Sequence, residues 1–134
     1  MSLDNLDKII IKIGSSLIID EENAINDQFL DEISKDILSL EKKGIKTLIV
    51  SSGAIELGKI DLNKSKNKLN LSESQAASSI GQIKLINAWK IALKKFGLNA
   101  AQILITAEDT ENRKRFLNAR STIEELIEEK YIPC

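Results

Sequence analysis

The 134-residue sequence contains no histidine, one cysteine, one proline, one tryptophan and one tyrosine, and aromatic residues make up only 4% of it. Without histidine, no Ser-His-Asp or Cys-His catalytic group can be assembled from these residues, and a zinc site is left with few natural ligands. A single cysteine, Cys134, excludes an internal disulfide and fits a reducing, cytoplasmic setting. Residues 1–8 are polar and acidic and lack the apolar core of a secretory signal. Apolar runs such as residues 9–11 and 48–50 are far too short to span a membrane. An excess of one charge is missing as well. The 19 basic and 20 acidic residues leave a net charge of −1, so no global field draws in nucleic acid or an acidic membrane surface. The expectation is a chain with neither a membrane nor a nucleic-acid partner in this portion.

What is present has the balance of an ordinary globular domain, with 43% hydrophobic and 29% charged residues. Residues 8–13 (KIIIKI) form a β-branched apolar run that stops at Gly14-Ser15-Ser16, the pattern of a buried strand followed by a tight loop. Over residues 27–43, Phe29, Leu30, Ile33, Ile37 and Leu40 fall at helical spacing, with Asn26 or Asp27 as cap and Gly44 past the end. Residues 47–50 read as a second strand, stopping at Ser51-Ser52-Gly53, and residues 54–60 as a helix. Residues 61–71, with Lys64, Lys66 and Lys68, read as a solvated surface loop. Ser72 and Gln75 form a capping-box pattern that predicts a long helix to Lys95 with Gly97 as its stop. Its small residues Ala76, Ala77, Ser79 and Gly81 predict close packing. A third strand is expected over 101–106 and a helix over 112–130, with Phe116, Leu117, Ile123, Leu126 and Ile127 inward. A fourth strand is expected to start at 131. The order β-α-β-α-α-β-α-β predicts an α/β fold: a mainly parallel sheet between helical layers, a three-layer αβα arrangement. No linker or repeat divides residues 1–134, which read as part of a single domain.

In open parallel sheets, ligands bind beyond the carboxyl ends of the strands. Two loops lie there. In Lys12-Ile13-Gly14-Ser15-Ser16, glycine lets backbone N–H groups approach an oxyanion, serine adds donors, and a strand-end lysine supplies a compact positive charge for a phosphoryl group. Lys12 has a second reading as an edge lysine whose stem covers apolar surface. In Ser51-Ser52-Gly53-Ala54-Ile55, a helix amino terminus offers unpaired N–H groups to a phosphate or carboxylate; a serine N-cap is the alternative. Neither loop has the spacing of a Walker P-loop or of G-x-G-x-x-G. Together they suggest an ATP site beside an acidic-substrate site. Glu108 and Asp109 read as helix caps, Arg113, Arg115 and Arg120 as partners for acids or a neighbouring subunit, and Trp89 as core.

These segments resemble the amino acid kinase family. Lys12 through Ser16, then Ser51 through Ile55 with Gly58, look like the start of its domain. Gln75-Ala76-Ala77 with Gly81-Gln82, residues 102–106 (QILIT) and residues 113–120 (RKRFLNAR) are similar to the glutamate 5-kinase branch. Relatives acting on acetylglutamate or carbamate carry a histidine-containing loop after the second strand, where this sequence has Ser51-Ser52-Gly53. The resemblance implies transfer of the ATP γ-phosphoryl group, with Mg²⁺, to the side-chain carboxylate of L-glutamate as the first step of proline biosynthesis. It implies Lys12 as a catalytic and ATP-binding residue, Gly14 and Ser15 as the phosphate loop, Ser52, Gly53 and Ala54 as the glutamate site, and a homo-oligomer. The family's later glutamate loop, catalytic aspartate and adenine-binding segments have no match in these residues. The resemblance therefore implies an amino-terminal portion, incomplete and inactive in isolation. Two alternatives stay open: a non-catalytic module that binds glutamate or assembles with partners, and a family member acting on another acceptor.

Overall fold

The computed structural model describes residues 5–65 and 67–134; Lys66 and residues 1–4 of the polar amino-terminal stretch lie outside the described residues. Strands β1 (Lys8–Ile13) and β2 (Lys46–Ser51) pair in parallel, from Lys8 opposite Lys46 to Ile13 opposite Ser51. Strand alternation sorts their side chains. Ile13, Thr47 and Ile49 are buried on one face, while Lys8, Ile10, Lys12 and Val50 are exposed on the other. Helix α2 (Asp27–Lys42) covers the buried face with Leu30, Ser34 and Ile37. It begins where the Asn26 side chain accepts a hydrogen bond from the Phe29 N–H at 3.2 Å. Between β1 and α2 lie a single helical turn, α1 (Ser15–Ile18), and a small antiparallel bridge from Ile19 to Ile25.

Helix α3 (Ala54–Asp61) follows β2 and packs along α4 (Leu71–Lys95). The buried stripe of α4 carries Leu85, Trp89 and Leu93 into the same core as Ile13, Ile18, Leu30, Ile37 and Leu57. Trp89 is 1% exposed, as its core reading requires. Strands β3 (Asn99–Ala101) and β4 (Tyr131–Pro133) form a second parallel pair, joined by α5 (Ala107–Glu111) and α6 (Arg113–Glu128). β4 lies against β2 without pairing with it, and Ile132 joins the common core. Helix α6 stands over the outer face of β1 and β2 across an open apolar groove lined by Ile10, Leu48, Phe116, Ala119 and Ile123. Helices thus flank parallel strands on two sides, the α/β class expected.

Several local expectations change. The long helix starts earlier, at Leu71, because Asn70 and Glu73 make the capping box and not Ser72 and Gln75. Asn70 accepts from the Glu73 N–H at 2.9 Å, and Glu73 accepts from the Asn70 N–H at 3.0 Å. Glu73 also pairs with Lys64, and these bonds hold its carboxyl below the usual carboxylate range. The third strand is Asn99–Ala101, not 101–106. Beyond it the Ile103 N–H donates to the Cys134 carbonyl at 2.8 Å, but residues 102–105 are not in a strand. Phe116 and Leu117 are 48% and 45% exposed, not core, because α6 stands off the sheet and buries only Ile127 fully. An extra helix, α5, starts at Thr106, whose side chain caps it while Asp109 accepts the Thr106 N–H at 2.7 Å. That bond and the Thr106 hydroxyl hold the Asp109 carboxyl below its ordinary value. Asp109 is therefore a cap, as read. Arg115 pairs with Glu108 at 3.0 Å, and Arg120 with Glu124 at 3.1 Å.

Candidate functional site

The two loops leave the sheet side by side because their strands are in register. Ile13 lies opposite Ser51, and the Ser52 N–H donates to the Ile13 carbonyl at 2.9 Å. The first residues beyond β1 and β2 are thereby tied together at the carboxyl end of the sheet.

Beyond that tie, Gly53 turns the chain from strand into helix. Its φ of +119° is a conformation that L side chains rarely adopt, and an added Cβ would sit 3.4 Å from Ile18. Gly53 is also the N-cap of α3, and no side chain caps that helix. The serine N-cap alternative is therefore not what the structure contains. Among the described residues the first-turn N–H groups of α3 have no side-chain cap, and the helix dipole adds partial positive charge there.

A cavity of about 360 Å³ opens at this end of α3, lined by Ser15, Ser51, Ser52, Gly53, Ala54 and Ser78 among others. Ser15 of the first loop and Ser52, Gly53 and Ala54 of the second thus share one space. Lys12 and Gly14 do not line it. Lys12 is exposed on the outer face of β1, opposite Val50, one pleat before the tie at Ile13. Gly14 is exposed and extended, with φ −78° and ψ 156°, and a Cβ there would meet nothing within 4 Å. Neither backbone conformation nor packing within the chain requires glycine at 14, which leaves its open surface free for a bound group to approach.

Helix α4 forms the wall that sequence reasoning passed over. Gly58 and Gly81 let α3 and α4 touch backbone to backbone. A Cβ on Gly58 would fall 1.8 Å from the Ala77 carbonyl oxygen, and one on Gly81 would fall 1.7 Å from that of Ala54. Of the small residues read as packing residues, Ala77 and Gly81 are buried at this crossing, whereas Ala76 and Ser79 are exposed. Ser78 follows Ala77 and precedes Gly81 by three positions, which sets it on the flank of the packed face. That spacing was the signal available for it.

Residues 7–134 match the model of the amino acid kinase family. The chain belongs to the amino acid kinase family. It is 46% identical over 132 residues to a glutamate 5-kinase of Rhizobium rhizogenes, an overlap of 98% of this chain and 34% of that relative. To glutamate 5-kinase 1 of Rhizobium meliloti it is 44% identical over 132 residues, again 98% of this chain and 34% of the relative. To a glutamate 5-kinase of Sinorhizobium fredii it is 45% identical over 131 residues, 98% of this chain and 33% of the relative. The chain spans about a third of the length of these curated relatives. Among the described residues of this amino acid kinase chain, no helix is long and apolar enough to cross a membrane.

Proposed function

We propose that the protein carrying this chain phosphorylates the side-chain carboxylate of L-glutamate from ATP, in the cytoplasm, as the entry step of proline biosynthesis. A carboxylate oxygen attacks the γ-phosphorus, the bond to the β-phosphate oxygen breaks, and glutamyl 5-phosphate and ADP result. The observation that carries this reading is the shared cavity, in which Ser15 of the first loop meets Ser52, Gly53 and Ala54 at the uncapped amino terminus of α3. Ser52 and the amides of α3 hold glutamate. Gly14, with no side chain and open space around it, lets the backbone approach the ATP phosphates, and Ser15 adds a hydroxyl donor. Lys12 extends from the strand end and neutralises charge on the transferring phosphoryl group. Such a transfer asks the protein mainly for positioning and positive charge. Mg²⁺ carried by the nucleotide would supply further positive charge at the phosphates. Among the described residues no group of three His, Cys, Asp or Glu is gathered to hold a cation, so no step is assigned to metal ligands of this chain. These 134 residues span about a third of the length of the curated relatives, and in isolation they are expected to give no turnover.

The test is ATP-dependent hydroxamate formation from L-glutamate, run on the protein at its natural length and on the 134-residue chain. Turnover is expected in the first and not in the second, and Lys12→Met is expected to lower kcat of the first by about a hundredfold or more. Activity on another acceptor but not on glutamate overturns the substrate, and robust turnover by the 134 residues alone overturns the division of labour.

A further inference from the structure

We infer that Ser78 is a glutamate-binding residue that holds the α-amino-acid end of the substrate, a wall of the site supplied by α4. The inference rests on the glutamate reading above. Three observations carry it. First, Ser78 lines the same cavity as Ser15, Ser52, Gly53 and Ala54, although it lies on a different element from all of them. Second, its hydroxyl is uncommitted. Among the described residues the neighbouring Ser79 hydroxyl donates to the Gln75 carbonyl at 2.9 Å and the Ser51 hydroxyl to the Ser52 carbonyl at 3.2 Å, whereas the half-buried Ser78 hydroxyl makes no hydrogen bond. With no bond inside the protein, that hydroxyl is a donor and acceptor free to meet a ligand in the cavity. Third, its position is held. Ala77 against Gly58 and Gly81 against Ala54 bring α4 into backbone contact with α3 on both sides of Ser78, and Ala54 is itself a cavity residue. Rotation of α4 is blocked at the point where the hydroxyl must be aimed.

The direction in which glutamate lies follows from the neighbours. Ser15 belongs to the phosphate loop, so the carboxylate that receives the phosphoryl group faces it. Ser78 also borders a second cavity, of about 730 Å³, lined by Gln75, Gln82 and Gln102 and by no residue of the β1 loop. It therefore stands on the side away from the phosphates, where the α-carboxylate and α-ammonium of the substrate lie. A hydroxyl serves either group, donating to the first or accepting from the second. Because this contact is remote from the reacting atoms, it acts on ground state and transition state alike, so its loss appears in KM and not in kcat.

The test uses the protein at its natural length. Ser78→Ala is expected to raise KM for L-glutamate about tenfold, with KM for ATP and kcat within about twofold of the parent. Ser78→Thr, which keeps the hydroxyl, restores most of the affinity. Ser39→Ala, which removes a hydroxyl bonded within α2 to the Lys35 carbonyl at 3.2 Å, leaves all three constants unchanged. An unchanged glutamate KM in Ser78→Ala, or a rise shared by ATP, overturns the role of Ser78 and leaves the reaction standing. Failure of the parent protein to phosphorylate glutamate overturns the reaction and the role together.

Discussion

Residue by residue, the polar atoms of the core decide where stability can be gained. Three buried side-chain atoms, Ser34 Oγ, Thr47 Oγ1 and Trp89 Nε1, have no hydrogen-bond partner among the described residues. Leaving a buried donor or acceptor unmade costs about 1–3 kcal/mol, whereas exchanging it for an apolar group of similar shape removes that cost. Thr47 is the clearest case. Its backbone N–H already donates to Glu41 at 3.0 Å, and its side chain is buried on the inner face of β2. Valine keeps the β-branch that suits a strand. Thr47→Val is therefore expected to stabilise the chain by about 1 kcal/mol, read as a higher urea midpoint at unchanged m value. A lower midpoint would mean that the hydroxyl has a partner, such as a buried water. The Cys134 thiol illustrates the same physics in a titratable group, since burial pushes it up to about 12 and keeps it protonated.

At the scale of elements, the contact between α3 and α4 matters most, because it sets the cavity wall. Two effects oppose each other at Gly81. Alanine in mid-helix is favoured over glycine by about 1 kcal/mol. Against that, its Cβ would lie 1.7 Å from the Ala54 carbonyl oxygen and 2.7 Å from the Gly58 nitrogen, both backbone atoms that cannot swing aside. Overpacking of a tight contact costs about 1–3 kcal/mol or more, and backbone against backbone belongs at the upper end. Gly81→Ala is expected to lower the urea-derived stability by about 1–2 kcal/mol net. It should also shift the amide resonances of Ser52 and Ala54, because the displaced element is the one that carries the site. A variant as stable as the parent would show that α3 and α4 can separate freely, and would remove the physical basis for a fixed wall.

For the whole molecule, the notable surface is apolar. Ile10 is 64% exposed on the outer face of the sheet, Ile105 and Phe116 are exposed at the groove beneath α6, and Val50 and Leu104 are exposed at a neighbouring cavity. Exposed apolar patches and unpaired strand edges promote association. The 134-residue chain is expected to self-associate reversibly at micromolar concentration, with sedimentation velocity showing larger species as concentration rises. Ile10→Lys, on the exposed face, should shift that distribution toward monomer without altering the core. A concentration-independent monomer would count against this.

Much of this protein was legible in its residues, for local reasons. The run KIIIKI, the periodic stripe from Phe29 to Leu40 and the glycines at 44 and 97 specify strand, helix and helix ends through side-chain periodicity and backbone freedom, which are properties of neighbours in the chain. The position of Ser15, Ser52, Gly53 and Ala54 just beyond two apolar strands was legible for the same reason. Tertiary structure decided the rest. Whether residues 102–106 form a strand depends on a partner beside them. Whether Phe116 and Leu117 are buried depends on how far α6 stands from the sheet. That Gly53 caps α3 with no side chain, so that its amides stay open, depends on a left-handed turn packed beside Ile18. Ser78 reaches the cavity beside Ser52 only because two glycines let helices from different parts of the chain meet backbone to backbone. Periodicity fixes which face a residue occupies, but what that face meets is set by contacts between residues distant in sequence.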